Sequence, residues 1–352
     1  MRDHGTAGAP AAVFMGATPL APRVHLRPRG GFDATATLLG GQSFRWRRFE
    51  TGHVRGVALG RAWHIVGDGA DLHVDVDLAP AAVRRYLGLD PQYPSAVARL
   101  ARDPALAPAV AAHPGLRVLR QDPWEALAAF IVSANNNVPR IEGIVERLSV
   151  EAGGVIGADA PPGNAASGAR VRARVPAGEG AHVRTRAPAG ERARVRARAP
   201  LHAFPTPDAV ARLDERVLRR VGLGYRAPFL REAARIVADG LDLAALARRP
   251  YRRAHDALTE LPGVGPKVAD CVCLFGLGHG EAFPVDTWMR DAMTRVLSRP
   301  LGDRDAGDAA RRRWGANAGL AQQFLFHAAR VRGKPGRAAP GSARFRTREK
   351  FG

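Results

Sequence analysis

A lysine follows a short, glycine-containing turn between two stretches whose apolar residues recur with helical spacing. The chain reads HDALTELPGVGPKVADCVCLFGL there, with the turn at residues 261–265. Pro266 suits the first helical position, because the N–H group that a proline lacks would have no partner there. Lys267 is then predicted to lie in the first turn of the second helix, where a partly buried amine can act as a nucleophile.

The turn itself offers a second kind of chemistry. Gly263 and Gly265 have no side chains, so the backbone N–H groups around Val264 are predicted to point outward without obstruction. They lie at the start of a helix, where the positive end of the helix dipole attracts phosphate. We therefore predict that these three residues hold a phosphate of a nucleic-acid backbone. An ordinary helical hairpin without a ligand is the alternative.

A carboxylate that could work with the lysine follows 19 residues later. Asp286 ends the segment FPVD and precedes the helical stretch TWMRDAMTRVLSR. An aspartate there is predicted to be the N-cap of that helix, a role that stabilises a helix by about 1 kcal/mol. The residues themselves leave open whether Asp286 is only a cap or also faces the same cleft as Lys267.

The charge balance favours a polyanionic partner. The 352 residues contain 53 Lys and Arg against 33 Asp and Glu, a formal charge of +20, so nucleic acid is the leading candidate. Residues 154–200 contribute +6 in a repetitive Ala-, Arg-, Pro- and Gly-rich run, and the tail from Val331 contributes another +6. The run has too few large apolar residues to offset its ordering entropy, so we predict a disordered insertion. A DNA-tethering role and low-complexity drift both stay open for it.

Composition excludes several classes of protein. Cys271 and Cys273 are the only cysteines, which excludes a disulfide framework and any zinc or iron–sulfur site that needs four thiolates. No apolar run approaches the roughly 20 residues of a membrane helix, and the N-terminal residues lack a signal-peptide core. We expect a soluble, intracellular monomer with no membrane contact, no metal and no cofactor.

Hydrophobic patterns divide the chain into two kinds of structure. Between residues 31 and 77, alternating apolar residues in AWHIV and LHVDV flank GDGAD, which is typical of an antiparallel hairpin. After about residue 80, apolar residues recur every three or four positions, and one such helix is predicted from Thr206 to Gly222. The predicted fold class is α+β, with a small N-terminal antiparallel β-sheet domain packed on a mostly α-helical body.

The same patterns suggest domain boundaries. Residues 1–22 are predicted to be a flexible N-terminus, and residues 23–120 the β-rich domain. The helical body comprises residues 121–153 and 201–332, with the insertion of residues 154–200 between its two parts. Residues 333–352 form a basic C-terminal tail.

Taken together, the motifs resemble those of a known family. The hairpin, Lys267 after it and a Pro-Val-Asp segment about 20 residues later form the pattern of the helix-hairpin-helix DNA glycosylases. GQSFRW at 41–46, QDP at 121–123, NNN at 135–137 and GLGYR at 222–226 stand in the order of the signatures of 8-oxoguanine DNA glycosylase. The chain resembles that family from about Leu39 to Phe326, interrupted by the insertion.

The resemblance implies an enzyme of base-excision repair. Family members remove 8-oxoguanine opposite cytosine from duplex DNA after swinging the damaged base out of the stack. Lys267 would attack the anomeric carbon and hold the sugar as a Schiff base, and β-elimination of the 3′-phosphate would follow. Asp286 would stabilise the oxocarbenium-like sugar. The implied partner is double-stranded DNA with an 8-oxoguanine:cytosine pair, in a bacterial cytoplasm or a eukaryotic nucleus.

The resemblance also implies a pocket for the extruded base. The Gly41 carbonyl would accept a hydrogen bond from N7–H, the proton that distinguishes 8-oxoguanine from guanine. Cys271 and Phe326 would pack on the two sides of the base, and Gln322 would bind its Watson–Crick edge. Pro284 is also implied to line this pocket.

A further group would occupy the place of the extruded base. Asn135, Arg140 and Arg226 are implied to hydrogen-bond the widowed cytosine, whose O2 and N3 atoms accept hydrogen bonds, with Tyr225 as the wedge beside it. Trp288 stands where animal members of the family have a histidine near the 5′ phosphate, so this interaction would have no ionic part.

Two other functions are alternatives to an 8-oxoguanine glycosylase. The first is a helix-hairpin-helix glycosylase for another damaged base. Lys267 argues against the monofunctional alkylpurine and adenine types, and the missing cysteines argue against the iron–sulfur types. The second is a non-catalytic DNA-binding module, which does not explain why Lys267 and Asp286 are both present. The other asparagines of the NNN motif, Asn136 and Asn137, are expected to bond nearby backbone.

Overall fold

The computed structural model describes residues 23–50, 53–67, 69–156, 201–298 and 302–332. The predicted flexible N-terminus, most of the predicted insertion and the predicted C-terminal tail lie outside these residues. No helix within the described ranges is long and apolar enough to cross a membrane.

Five short strands form one antiparallel sheet near the N-terminus. In the spatial order β1-β5-β4-β3-β2, its strands are β1 (Arg23–Leu26), β2 (Trp46–Glu50), β3 (His53–Ala58), β4 (Arg61–Val66) and β5 (Leu72–Asp75). The predicted hairpin is confirmed, because β4 and β5 pair antiparallel with Ile65 opposite Val74. Trp46 and Trp63 are buried in edge-to-face contact, and Trp46 Nε1 donates to the Tyr86 hydroxyl at 3.0 Å. This aromatic cluster joins the sheet to the helices that follow.

Helices make up most of the remaining structure. The α-helices are α1 (Ala34–Leu38), α2 (Pro80–Tyr86), α3 (Tyr93–Leu100), α4 (Ala107–Ala112), α5 (Pro123–Ser133), α6 (Val138–Ala152), α7 (Pro207–Ala211), α8 (Glu215–Arg220), α9 (Ala227–Ala238), α10 (Leu243–Leu246), α11 (Tyr251–Thr259), α12 (Pro266–Val272), α13 (Thr287–Leu297), α14 (Asp303–Trp314) and α15 (Ala318–Arg332). A π-helix, Cys273–Leu277, extends α12. The predicted fold class is confirmed.

A short helix lies within the strand-rich segment, and two local predictions are wrong. Asp33 accepts from the Ala36 N–H at 2.7 Å and starts α1 ahead of β2. The helix predicted from Thr206 to Gly222 is divided into α7 and α8, because Asp214 caps the second. The predicted disorder begins too early, since β6 (Val155–Ile156) pairs with β7 (Leu201–His202).

Helix α5 lies at the centre of the helical body. Nine of its 11 residues are buried, which is typical of a helix enclosed on all sides. Its first residues are capped by Asp122, which accepts from the Glu125 N–H at 2.9 Å, and α12 packs along it. The end of α5 is therefore a rigid place from which side chains can contact α12.

Helix α15 connects the N-terminal domain to the helical body. Phe324 belongs to a buried cluster that includes Leu116 from the N-terminal part and Phe283 and Met289 from the segment around α13. The helix packs against α4, α13 and α14. It thereby brings the loop before β2 close to residues of the last third of the chain.

Candidate active site

Lys267 lies where the chain passes from the hairpin into α12. It is the second residue of that helix, as predicted, and its side chain is half-buried. The Nζ atom donates a hydrogen bond to the Ser133 hydroxyl at 3.4 Å and lies 5.2 Å from the centre of the Phe130 ring. The amine thus rests on the C-terminal end of α5.

A buried hydrogen-bond network holds α12 in place. Tyr251 on α11 donates to the Asp270 carboxylate on α12 at 2.6 Å, and Arg311 on α14 donates to the Tyr251 hydroxyl at 2.9 Å. Burial raises the pKa of Asp270 and that of Tyr251. Leaving one of these buried groups without a partner costs about 1–3 kcal/mol. The network therefore resists movement of the helix that carries Lys267.

Cys271 lies one helical turn after Lys267, which places both on one helix face, and it is buried. Burial raises the pKa of its thiol to about 11, while the nearby Lys267 charge acts in the opposite direction. The thiol is therefore neutral near pH 7 and packs as a small, polarisable group. The negative charge of Asp286 also raises the pKa of this thiol.

Asp286 caps α13, as predicted. Its Oδ1 atom accepts a hydrogen bond from the Met289 N–H at 2.9 Å, and its side chain is half-buried. The cap uses one of the two carboxylate oxygens. Trp288, in the first turn of the same helix, is also half-buried.

Gly41 and Phe326 come together although they lie at opposite ends of the folded chain. Gly41 has a φ of +94°, a conformation that glycine adopts most easily. A Cβ atom there would lie 3.2 Å from Arg330 Nη1 and 3.9 Å from Phe326 Cε1. Arg330 also donates to the Gly40 carbonyl at 2.7 Å, and its guanidinium lies 5.6 Å from the centre of the Phe326 ring. These contacts build one wall from the loop before β2 and the end of α15.

Gln322 links α15 to the segment before Asp286. Its Nε2 atom donates to the Pro284 carbonyl at 3.2 Å, and its Oε1 atom accepts from Gln323 Nε2 at 2.5 Å. Gln322 and Pro284 are buried, whereas Phe326, four residues further on the same helix face, is half-buried. The structure thus joins Pro284 and Gln322 directly, with Phe326 one turn away.

The hairpin supports only part of the predicted phosphate contact. Gly263 has a φ of +77°, and a Cβ atom there would lie 2.8 Å from Phe229 Cβ, so a glycine is required. Gly263 and Gly265 are exposed. Val264 differs from the prediction, because its side chain is buried and its N–H donates to the Leu261 carbonyl at 3.1 Å. The turn closes on itself at Val264 and presents its two glycines to solvent.

Asn135 and Tyr225 form an exposed pair. Asn135 has a φ of +52°, which asparagine tolerates better than most residues. Its Nδ2 atom donates to the Tyr225 hydroxyl at 3.0 Å. Tyr225 is 51% exposed, and Phe229, 39% exposed, packs edge-to-face with it at 6.5 Å. Two adjacent, exposed aromatic rings are typical of an interaction surface.

Arg226 differs from this exposed pair, because its side chain is only 5% exposed. Its Nε atom donates to the Ala134 carbonyl at 2.7 Å, and Nη2 donates to the same oxygen. The guanidinium lies 4.3 Å from the centre of the Tyr225 ring. Arg226 therefore braces the turn that carries Asn135, and its contact with cytosine stays a prediction.

The remaining residues of this segment have separate roles. Asn136 donates to the Val132 carbonyl at 2.8 Å, and Asn137 caps α6 by accepting from the Arg140 N–H at 3.0 Å. Both asparagines therefore bond nearby backbone, as predicted. Arg140 lies in the first turn of α6 and is exposed.

A cavity of about 480 Å³ lies elsewhere, between α2 and α3 on one side and Leu274 and Leu320 on the other. Its lining shares no residue with the predicted site and includes Arg84, Arg85, Arg99 and Arg120. It is not part of the candidate active site.

Two family models together match most of the described chain. Residues 26–127 match the 8-oxoguanine DNA glycosylase N-terminal domain, and residues 128–304 match the HhH-GPD superfamily base excision DNA repair protein model. The chain belongs to the HhH-GPD superfamily. The N-terminal match confirms the resemblance to 8-oxoguanine DNA glycosylase. The HhH-GPD match includes Lys267 and Asp286, whereas Gln322 and Phe326 lie beyond it.

Individual relatives agree with this result. A probable N-glycosylase/DNA lyase of Methanothermobacter thermautotrophicus is 45% identical over 117 residues, covering 33% of this chain and 38% of that protein. N-glycosylase/DNA lyase OGG1 of Arabidopsis thaliana is 30% identical over 228 residues, covering 60% and 51%. The chain thus spans about half or less of the length of these curated relatives.

A solved structure of similar fold covers more of the chain. The Clostridium acetobutylicum 8-oxoguanine glycosylase/lyase, in complex with double-stranded DNA containing cytosine opposite 8-oxoguanine, has a TM-score of 0.71 and 29% identity. The alignment covers 86% of this chain and 92% of that one. Gly41, Lys267 and Phe326 thus belong to one fold of known type.

Three features of this HhH-GPD site are absent from the sequence predictions. Ser133 contacts the lysine, and Arg330 contacts the wall formed by Gly41 and Phe326. Arg330 could have been found from its spacing of four residues after Phe326, which places both on one helix face. The third is composition: Lys267 is the only lysine among the described residues, and the other two, Lys334 and Lys350, lie in the C-terminal tail.

Proposed function

We propose that the protein is a bifunctional DNA glycosylase and AP lyase that removes 8-oxoguanine opposite cytosine from duplex DNA. The observation that carries this proposal is the placement of Lys267. An arginine guanidinium stays protonated and is not a nucleophile, so a chain rich in arginine has a single side-chain amine for this chemistry in its described part. That amine lies one helical turn before Cys271, and we assign the Asp286 carboxylate as its partner.

The reaction begins with extrusion of the damaged nucleotide, because its glycosidic bond is inaccessible inside the stack. The base enters between Cys271 and Phe326, with the Gly41 carbonyl accepting its N7–H. Guanine has a lone pair at N7 instead of a proton, so it would oppose the carbonyl in a pocket without water. Gln322 reads the Watson–Crick edge, and Pro284 completes the pocket.

Covalent chemistry then follows at the sugar. The bond between C1′ and the base breaks as Lys267 Nζ bonds to C1′, and Asp286 stabilises the positive charge that develops on the sugar. Its Oδ1 atom accepts the hydrogen bond of the helix cap, which leaves Oδ2 for contact with the sugar. The base leaves with the bonding electron pair and takes up the proton that Nζ loses. Protonation of O4′ from water then opens the ring and gives a protonated Schiff base. Removal of a C2′ proton then expels the 3′-phosphate and cleaves the strand.

Preference for cytosine comes from the exposed group beside α6. Asn135 and Arg140 supply amide and guanidinium donors for the O2 and N3 acceptors of cytosine. Tyr225 occupies the space that the extruded base leaves. Arg226 braces this turn through the Ala134 carbonyl, and its contact with the cytosine would need its buried guanidinium to turn outward. Gly263, Gly265 and Trp288 contact the DNA backbone. The protein acts as a monomer on DNA, in a bacterial cytoplasm or a eukaryotic nucleus.

Base release and strand cleavage should be measured on a panel of duplexes that share one sequence. Each duplex carries 8-oxoguanine, 3-methyladenine, an oxidised pyrimidine or an undamaged base at one position, opposite each of the four bases in turn. We expect both products from 8-oxoguanine opposite cytosine, with much slower reaction opposite adenine. Faster release of another base would identify a glycosylase of different specificity. Binding without release from any duplex would indicate a non-catalytic DNA-binding module.

A further inference from the structure

Ser133 carries a buried hydroxyl that contacts the Lys267 amine. It is the last residue of α5 and only 9% exposed. Its Oγ atom donates to the Phe130 carbonyl at 2.7 Å and accepts from Lys267 Nζ at 3.4 Å. The serine thus lies between a fixed backbone carbonyl and the amine of the candidate nucleophile.

The geometry makes this hydroxyl an acceptor toward the lysine. A serine hydroxyl has one proton and two lone pairs, and the proton is directed to the Phe130 carbonyl. Only lone pairs are left to face Nζ. Ser133 can therefore accept an N–H from the amine whether the amine is protonated or neutral.

Fixing one N–H restricts the direction of the nitrogen lone pair. A neutral amine has two N–H bonds and one lone pair, and attack at carbon requires the lone pair to point at the reacting atom. The Phe130 ring on one side of Nζ limits the side chain further. An amine bound to Ser133 therefore samples fewer orientations than a free one.

The segment around Ser133 is rigid enough to position the amine. The Ser133 carbonyl accepts from the Asn136 N–H at 3.1 Å, and Asn136 also donates to the Val132 carbonyl. Phe130 stacks on Phe275 with ring centres 5.4 Å apart. These contacts hold the end of α5 independently of the lysine.

We propose that Ser133 is a positioning residue that orients the Lys267 amine toward the sugar carbon. The inference rests on the proposed function, because it assigns a role within that covalent step. Ser133 itself does not bond to the substrate. Its removal should slow adduct formation while DNA binding is unchanged.

Ser149 provides a matched control within the same helical body. Its hydroxyl is also buried and donates to a backbone carbonyl one turn earlier, that of Val145, at 2.9 Å. It lies on α6, away from Lys267. Ser149→Ala therefore loses the same kind of hydrogen bond without affecting the amine.

The test compares the rate of borohydride-trapped adduct formation on 8-oxoguanine:cytosine duplex, at saturating full-length protein, with the affinity for the same duplex. Ser133→Ala should slow trapping by about 10-fold or more with unchanged affinity, Ser133→Thr should restore the rate, and Ser149→Ala should leave it unchanged. Ser133→Cys keeps the side-chain volume with a weak acceptor, and it should give an intermediate rate even if the alanine variant is unstable. Equal trapping rates for Ser133→Ala and Ser149→Ala would reject the positioning role of Ser133 but not the proposed function. Equal rates for Ser133→Cys and the unmodified protein would do the same. No adduct with the unmodified protein would reject the proposed function and this inference with it.

Discussion

Asn135 donates a hydrogen bond to the Tyr225 hydroxyl at 3.0 Å, although the two residues are 90 positions apart in the chain. Both side chains are exposed, and the backbone beneath them is tied together by Arg226, which donates to the Ala134 carbonyl. The pair therefore forms one surface unit, built from the end of α5 and the segment before α9. In the proposed function this unit faces the cytosine.

Asn135→Gly should relax the preference for cytosine. Glycine adopts the positive φ of this position without strain, so the substitution removes the amide and leaves the turn. We expect the ratio of excision opposite cytosine to excision opposite adenine to fall about 10-fold, since a good base contact is worth about 1–3 kcal/mol. Tyr225→Phe is the control, because it keeps the wedge and removes only the hydroxyl. An unchanged ratio in Asn135→Gly would remove this residue from opposite-base recognition.

Asp286→Asn distinguishes the helix-capping role of Asp286 from its proposed catalytic role. Asparagine is as good an N-cap as aspartate, so the melting temperature should stay the same. Loss of the negative charge should slow base release by about 100-fold with little change in DNA affinity. Asp242→Asn, which changes another capping aspartate outside the site, should affect neither quantity. A large loss of DNA binding in Asp286→Asn would instead favour a purely structural role.

Stability should depend on pH through Glu125. Burial raises its pKa from an ordinary value of 4.5 to about 7, with Arg45 at 4.0 Å acting in the opposite direction. Between these values the folded chain retains a proton that the unfolded chain has released, so this contribution to stability is complete below pH 4.5 and lost as pH rises to about 7. Glu125→Gln should show a smaller fall in melting temperature over this range. The exposed Glu151→Gln should behave like the unmodified protein, and the same behaviour in Glu125→Gln would contradict the assignment.

Residues 157–200 can be removed without stretching the flanking structure, because Ile156 and Leu201 are directly opposite each other in β6 and β7. An Asn-Gly turn suits such a connection. The deleted residues carry nine arginines against three acidic residues. If these arginines bind DNA, the deletion should weaken binding to undamaged duplex. It should also make the plot of log binding constant against log salt concentration less steep, by about 0.9 for each phosphate that these arginines neutralise. An identical slope would leave the segment with no electrostatic role.

Local parts of the site could be predicted from the sequence. The hairpin, Lys267 in the first turn of a helix, Cys271 one turn later and Asp286 as a cap all follow from spacing within about 25 residues, which helix geometry converts into position. The family motifs added Gly41 and Phe326. Their assembly into one wall agrees with the structure.

The parts that could not be predicted depend on contacts between distant segments or on competing caps. Ser133 is 134 positions from Lys267, so no periodicity relates them. The spacing of Arg330 places it beside Phe326 but not beside Gly40, which is 290 positions away. The flanking glycines predict an outward-pointing N–H at Val264, but that N–H donates to the Leu261 carbonyl. The division between α7 and α8 depends on the Asp214 side chain, which an apolar pattern does not register.

The central claim is that Lys267 is the nucleophile, and covalent trapping tests it most directly. Borohydride reduction of a reaction with 8-oxoguanine:cytosine duplex should give one protein–DNA adduct, and peptide mapping should locate it at Lys267. The adduct should be absent in Lys267→Gln and in Lys267→Arg, which keeps the positive charge. It should persist in the double variant Lys334→Arg, Lys350→Arg, which leaves Lys267 as the only lysine. An adduct that persists in both Lys267 variants, or maps to another residue, would contradict the account.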